Sequence, residues 1–130
     1  MHDLKRFLSA DSNPLFADEA AFTYFTALKN RRPLGRIDVH AHTQSIALYG
    51  SNRASFGFFD CANDPEIAKA LLSKAEEWAR AKGHTELAGN FNLPAMQQMG
   101  VQHDHFERRD YTALIVNPPQ IPEFVWHTGY

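Results

Sequence analysis

Cysteine is almost missing from this 130-residue chain, which contains only Cys61. A single cysteine excludes a disulfide within the chain and is typical of a reducing compartment, so the sequence predicts a cytoplasmic protein. Long apolar runs are missing as well, and none approaches the roughly 20 residues that cross a bilayer. The N-terminal residues carry no sustained apolar segment after their charges, so we expect no secretory signal.

The chain also lacks a strong excess of charge. Its 13 basic and 15 acidic residues give a formal net charge of -2. The basic residues are dispersed rather than arranged in a stripe, so we expect neither nucleic acid nor a membrane surface as a partner. With 44% hydrophobic and 22% charged residues, the composition is that of an ordinary globular protein. We therefore expect one domain over residues 1–130.

The first half of the chain favours a short helix followed by a β-hairpin. Apolar spacing predicts the helix within the first ten residues, before a breaker at 11–14. Aromatic and β-branched residues over 21–28, and alternation over 36–43, predict two antiparallel strands. Residues 30–35 contain proline and glycine and are expected to form the turn between them.

The most informative segment begins with a phenylalanine-rich strand predicted over 54–60. Gly57 interrupts this strand, which indicates a bulge or a close backbone approach. Asp64 as the N-cap, followed by Pro65, predicts a helix that ends near residue 82. The apolar stripe of this helix is expected to include Ile67, Leu71, Ala75, Trp78 and Ala79.

A strand predicted over 85–91 should lie parallel to the strand over 54–60, because the helix between them forms a right-handed crossover. A helical turn is expected after Pro94, and a last strand over 111–116. In β-α-β units, ligands bind at the carboxyl ends of the strands. We therefore look for the ligand site where the first of these strands meets the helix.

Several blocks of this sequence resemble a bacterial protein family with an N-acetyltransferase-like (GNAT-like) fold. They are NPLF at 13–16, PLGRI at 33–37, FGFFDCANDPEIAKALLSKAEEWARAKG at 56–83, Gly-Asn-Phe-Asn at 89–92, and NPP at 117–119. The resemblance implies an α+β fold with a central mixed sheet, an antiparallel N-terminal hairpin and a β-α-β unit. The C-terminal part is shorter than in the full acetyltransferase fold, so the chain resembles an abbreviated version.

The resemblance also implies a function, the transfer of an acyl group from acetyl-CoA or another acyl-CoA to an amine. In such proteins the third and fourth strands splay apart and hold the cofactor in the gap. The implied cofactor-binding residues are Phe58, Phe59, Asp60, Cys61, Ala62, Asn63, Asn90 and Asn92, with residues 62–66 at the phosphates. No catalytic residue is assigned.

The turn before the helix favours a second hypothesis. It contains the carboxylates of Asp60, Asp64 and Glu66, has no glycine, and loses one N–H donor at Pro65. Carboxylates at a helix N-terminus already stabilise its partial positive charge and repel a pyrophosphate. The alternative is a non-catalytic binding or assembly module with the same fold, a homodimer that completes the exposed edge of the sheet.

Paired histidines suggest a third hypothesis, that the protein is a metal-dependent hydrolase. His40 and His42 share one face of a strand, and His103 and His105 have the same spacing. Histidines on the solvent face of an outer strand are the plainer interpretation, and we expect no metal cofactor. Cys61 is either a nucleophile at a strand end or a small buried hydrophobe.

Overall fold

The computed structural model describes residues 22–42, 46–48, 50–92, 99–108 and 115–130. Its elements are β1 (Phe22–Lys29), β2 (Arg32–His40), β3 (Arg53–Cys61), α1 (Pro65–Ala81), β4 (Glu86–Ala88) and α2 (Gln120–His127), with a helical turn at 46–48. The strands form one mixed sheet in the order β1-β2-β3-β4. The predicted mixed α+β class is confirmed. None of the helices described here is both long and apolar enough to span a bilayer.

The predicted hairpin is confirmed, but its turn is shorter than expected. β1 and β2 pair antiparallel from Phe22 opposite His40 to Lys29 opposite Arg32. Only Asn30 and Arg31 form the turn, with φ angles of 52° and 64°. Two consecutive residues with positive φ match the twist of the flanking strands. Residues 32–35 therefore belong to β2 rather than to the turn.

Gly57 lies at a bulge, as the sequence predicts. Asp38 of β2 pairs with Gly57 of β3, whereas Arg36 pairs with Asp60, so β3 carries an extra residue here. Phe58 absorbs the irregularity with a φ of 45°. The backbone approach is also close, because an alanine Cβ at position 57 would lie 2.0 Å from the carbonyl oxygen of Phe91.

Helix α1 forms the predicted crossover. The side chain of Asp64 accepts a hydrogen bond from the backbone N–H of Glu66 at 3.1 Å, and Pro65 opens the helix. Its buried residues are Ala68, Leu71, Leu72, Ala75 and Ala79, while Ile67 and Trp78 are only partly buried. β3 and β4 run parallel, from Arg53 opposite Glu86 to Ser55 opposite Ala88. The predicted order of strand, helix and strand, and the parallel direction of the two strands, are thus confirmed.

β4 is shorter than the strand predicted over 85–91. Its ladder with β3 ends at Ala88 because the next residues turn onto β3 instead of running beside it. Phe91 N–H donates to the carbonyl oxygen of Phe56 at 2.8 Å, and the Asn92 side chain accepts from Phe58 N–H at 2.7 Å. A side chain therefore replaces the next rung of the ladder.

The C-terminal residues differ from the prediction. Residues 111–114 of the expected strand lie outside the described residues, as do the expected N-terminal helix and residues 93–98 after the predicted β4. Ile115 and Val116 have no regular secondary structure, and helix α2, which the sequence did not predict, follows them. Ile121 and Phe124 of α2 are buried in the core. The Tyr130 hydroxyl donates to Glu76 of α1 at 3.1 Å.

The two faces of the sheet carry different chemistry. One face packs against α1 and α2, with Ile37, Val39 and Phe56 fully buried. Because side chains alternate along a strand, Arg36, Asp38 and His40 of β2 lie on the opposite face. The fold thus places a second set of buried side chains, polar ones, away from the apolar core.

We predict that Gly57→Ala destabilises the protein by about 1–3 kcal/mol or more, because the new methyl group collides with the Phe91 carbonyl. Urea unfolding measures the loss. Hydrogen exchange of the Phe91 amide should also become faster. Gly83→Ala is the matched control: Gly83 has a φ of 83° and open space around it, so that variant costs about 1–2 kcal/mol and leaves the Phe91 amide protected. Unchanged protection in Gly57→Ala would contradict this account of the close approach.

Candidate functional site

A cavity of about 390 Å³ lies at the carboxyl end of β3, on the side where β4 has stopped pairing. We call it the β3 cavity. It is lined by Tyr24, Arg36, Ile37, Phe58, Phe59, Asp60, Asn90, Asn92, Val101, Ile115, Val116, Asn117, Pro118 and Ile121. Of the cofactor-binding residues expected from the sequence, Phe58, Phe59, Asp60, Asn90 and Asn92 are among them. The remaining expected residues lie elsewhere.

The cavity exists because β3 continues beyond its parallel partner. β4 pairs with Arg53, Ala54 and Ser55, and the hydrogen bonds of Phe91 and Asn92 extend the contact only as far as Phe58. Among the described residues, no strand pairs with the last part of β3 on this side.

Cys61 and Ala62 line a different, more open cavity of about 530 Å³. Its wall includes Pro33, Leu34 and Gly35 of β2. Arg36 and Asp60 border both cavities, whereas Asn63 lines neither of them. The expected set of cofactor-binding residues is thus divided between two neighbouring spaces.

The turn over residues 62–66 already uses most of its backbone donors. Ala62 N–H donates to the carbonyl oxygen of Leu34, and Asp64 N–H donates to that of Ala62, each at 2.7 Å. Glu66 N–H donates to the Asp64 side chain, and Pro65 has no N–H. Phosphate binding at a helix start needs free N–H groups. Asn63 is the one position of this turn for which no such internal hydrogen bond is seen in the described part of the chain.

Asn117, in the NPP block, holds one wall of the β3 cavity in place. Its side-chain oxygen accepts from Gln102 N–H at 2.8 Å, and its amide nitrogen donates to the Gln102 carbonyl at 3.1 Å. One side chain thereby satisfies both backbone groups of Gln102, as a neighbouring strand does. Val101 and Val116, which lie beside these two residues, are both cavity-lining.

Asn90 and Tyr24 bring polar groups to the cavity. Asn90 is 7% exposed, and its Oδ1 atom is buried without a hydrogen-bond partner in the part of the chain that the structure covers. Tyr24 lies opposite Asp38 in the hairpin. Burial, together with the negative charge of Asp38, raises the pKa of Tyr24 to about 12. The Tyr24 hydroxyl is therefore neutral at physiological pH and able to donate a hydrogen bond.

Asp38 and His40 form a buried pair on the same face of the sheet. His40 Nδ1 lies 2.8 Å from Asp38 Oδ2, and the two residues are 2% and 0% exposed. The remaining polar atoms, His40 Nε2 and Asp38 Oδ1, have no hydrogen-bond partner among the residues described. An unpaired buried polar atom costs about 1–3 kcal/mol, so such atoms are uncommon without a reason.

The two histidine pairs form no metal-binding group with the other residues that the structure describes. The rings of His40 and His42 are adjacent, with centroids 5.0 Å apart, but His40 is committed to Asp38. His103 and His105 are exposed, and the hydrogen bond that the His105 ring donates to the Asp104 carboxylate raises the pKa of His105. Within the described ranges, no three His, Cys, Asp or Glu side chains lie close enough together to hold a metal ion.

Sequence reasoning missed much of the cavity wall. Tyr24, Val101 and Val116 gave no local signal, because they reach the cavity only through long-range packing. Arg36 and Asn117 lie in blocks that carry the family resemblance, but neither was among the residues expected to form the site. The pairing of Asp38 with His40 was also missed. The alternation of Asp38, His40 and His42 along one strand was the available signal.

Two curated proteins are similar to this chain. Protein YghO of Escherichia coli (strain K12) is 26% identical over 113 residues, which are 87% of this chain and 29% of that protein. The bacterial ceramide synthase of Caulobacter vibrioides (strain NA1000 / CB15N) is 32% identical over 95 residues, 72% of this chain and 24% of that protein. The chain thus spans under a third of the length of either relative. No family model matches it. No solved structure matches it either.

The environment of Cys61 predicts an unreactive thiol. Burial, and then the negative charges of Asp60 and Asp64, raise the pKa of Cys61 to about 11. Because the thiolate is the reactive form, native protein at pH 8 should react with iodoacetamide at least about 100-fold more slowly than protein in urea. Mass spectrometry of the single cysteine measures both rates. Rapid labelling of the native protein would restore Cys61 as a candidate nucleophile.

Proposed function

We propose that this chain is part of an N-acyltransferase of the GNAT-like type, and that the β3 cavity holds the thioester arm of an acyl-CoA. The observation that carries the proposal is the early end of the β3–β4 ladder: beyond it, the edge of β3 has no strand partner among the described residues and borders a cavity. Five of the residues expected to bind the cofactor line this cavity: Phe58, Phe59, Asp60, Asn90 and Asn92.

The second curated relative supports this choice of reaction. Its name describes the synthesis of ceramide, and a ceramide is by definition the amide of a fatty acid and a long-chain amino alcohol. A related segment that takes part in forming an amide needs a place for an activated acyl group. The similarity covers only 24% of that protein, so the amine that this chain acylates is proposed at the level of chemical class, a primary amine.

In this proposal the protein acts chiefly by positioning. A pantetheine arm contains amide groups that hydrogen-bond to an extended backbone, as an added strand does. The buried Oδ1 atom of Asn90, which lacks a partner within the described residues, accepts an N–H from the arm. Phe58 and Phe59 supply apolar contact beside it. Holding thioester and amine together lowers the entropic part of the barrier.

The turn over residues 62–66 favours a second candidate, a binding module of the same fold without catalysis. Its N–H groups at Ala62, Asp64 and Glu66 are already bonded within the protein, and its carboxylates repel phosphate. If this candidate is right, acyl-CoA gives no stabilisation. Sedimentation would then be expected to reveal a dimer that completes the sheet edge.

Octanoyl-CoA should raise the melting temperature of the protein, because a ligand that binds only the folded state stabilises it. Val116→Trp should abolish this shift by filling the cavity, and Val116 is 66% exposed, so folding should tolerate the change. Leu28→Trp is the matched control, since Leu28 is 64% exposed at the far end of the hairpin. That variant should keep the shift. Thermal unfolding at saturating octanoyl-CoA measures all three proteins.

Two results would contradict the proposal. An unchanged melting temperature of the parent protein at millimolar octanoyl-CoA would mean that no acyl-CoA site exists and would favour the binding module. Equal shifts in Val116→Trp and Leu28→Trp would mean that the acyl-CoA binds outside the β3 cavity.

A further inference from the structure

We propose that the Asp38–His40 pair is the proton acceptor for the amine, with His40 Nε2 as the base. This inference rests on the proposed acyl transfer and adds to it the group that removes the proton. It starts from the two buried atoms of the pair that have no partner within the described residues, His40 Nε2 and Asp38 Oδ1.

The hydrogen bond between the two residues favours one tautomer of a neutral imidazole. Asp38 Oδ2 lies 2.8 Å from His40 Nδ1. A carboxylate accepts hydrogen bonds, so the proposal assigns the ring proton to Nδ1. The lone pair is then on Nε2, the ring nitrogen farther from the carboxylate. A carboxylate that holds an imidazole in this tautomer is the arrangement that general-base catalysis uses.

The position of the pair relative to the β3 cavity supports this role. Arg36 shares a face of β2 with Asp38 and His40, and it lines the cavity. Tyr24, the cross-strand partner of Asp38, lines it as well. The pair therefore lies on the same face of the sheet as these two cavity-lining residues, although neither Asp38 nor His40 lines the cavity itself. The proposal requires a water to connect His40 Nε2 with the cavity.

The burial of the pair also argues for function. An alanine Cβ at position 57 would lie 2.7 Å from Asp38 Oδ1 and 2.0 Å from the Phe91 carbonyl, so two acceptor oxygens converge over Gly57. Nothing in the described residues donates to Asp38 Oδ1. A purely structural pair would be expected to satisfy these atoms, because buried polar groups are normally hydrogen-bonded.

The proposed step conserves atoms and charge. The amine nitrogen attacks the thioester carbonyl carbon, a C–N bond forms, and the carbonyl π electrons move to oxygen. The N–H proton passes to His40 Nε2 through water. The oxygen electrons then re-form the carbonyl, the C–S bond breaks, and the thiolate takes the proton from Nε2. Amide and free CoA leave, and the pair returns to its starting state.

The role of His40 as the base is tested by the turnover of octanoyl-CoA with leucinol, measured as the release of the free thiol of CoA. His40→Gln should lower kcat by about 100-fold or more while KM for octanoyl-CoA and the melting shift stay unchanged. His42→Gln, which alters the neighbouring ring, is the control and should keep kcat near the parent value. Asp38 is a positioning residue, so Asp38→Asn should lower kcat and also populate the other tautomer of His40, as read by nitrogen-15 NMR.

The outcomes separate this inference from the function on which it rests. Normal kcat in His40→Gln, or binding of octanoyl-CoA without turnover in the parent protein, would overturn the base and leave the cofactor site standing. Absence of a melting shift in the parent protein would overturn both. Should His40→Gln fail to fold, NMR of the parent protein decides: the proposal requires the Nδ1–H tautomer, and finding the proton on Nε2 would overturn it.

Discussion

The contact between the Phe91 carbonyl and Gly57 determines how the rest of the molecule is arranged. It is possible only because position 57 has no side chain, since a Cβ there would lie 2.0 Å from that oxygen. The contact holds residues 89–92 against β3. There the Asn92 side chain, rather than the backbone of β4, accepts the hydrogen bond from Phe58 N–H. The parallel ladder therefore ends early, and the edge of β3 beyond it borders the cavity.

The two faces of the sheet carry different kinds of buried residue, apolar on one and polar on the other. Its apolar face carries Ile37, Val39 and Phe56 beneath the two helices, and this burial supplies the main driving force for folding. Its other face carries Asp38 and His40, which are just as deeply buried. Asp38 Oδ1 and His40 Nε2 have no hydrogen-bond partner within the described ranges. Proteins tolerate such costs where a site requires them, because the stable core on the opposite face compensates.

The β3 cavity favours an acyl-CoA-binding protein, whereas the acidic turn over residues 62–66 favours a binding module without the cofactor. The cavity is lined by five of the eight residues expected to bind an acyl-CoA, whereas most backbone N–H groups of residues 62–66 are already hydrogen-bonded within the protein. The two observations are compatible if the arm, rather than the phosphates, provides most of the binding.

The sequence by itself determined the local structure: the Asp64 cap with Pro65, the apolar stripe of α1, the bulge at Gly57 and the parallel crossover. The cap and the stripe depend on residues close together in the chain, where capping and periodicity act directly. The bulge follows from the freedom of Gly57, and the crossover follows from the order strand, helix, strand. Only the tertiary structure decided where β4 ends, that Asn117 bonds to Gln102, and that Asp38 is buried beside His40. These features arise from contacts between distant segments, and no local preference of those residues specifies them.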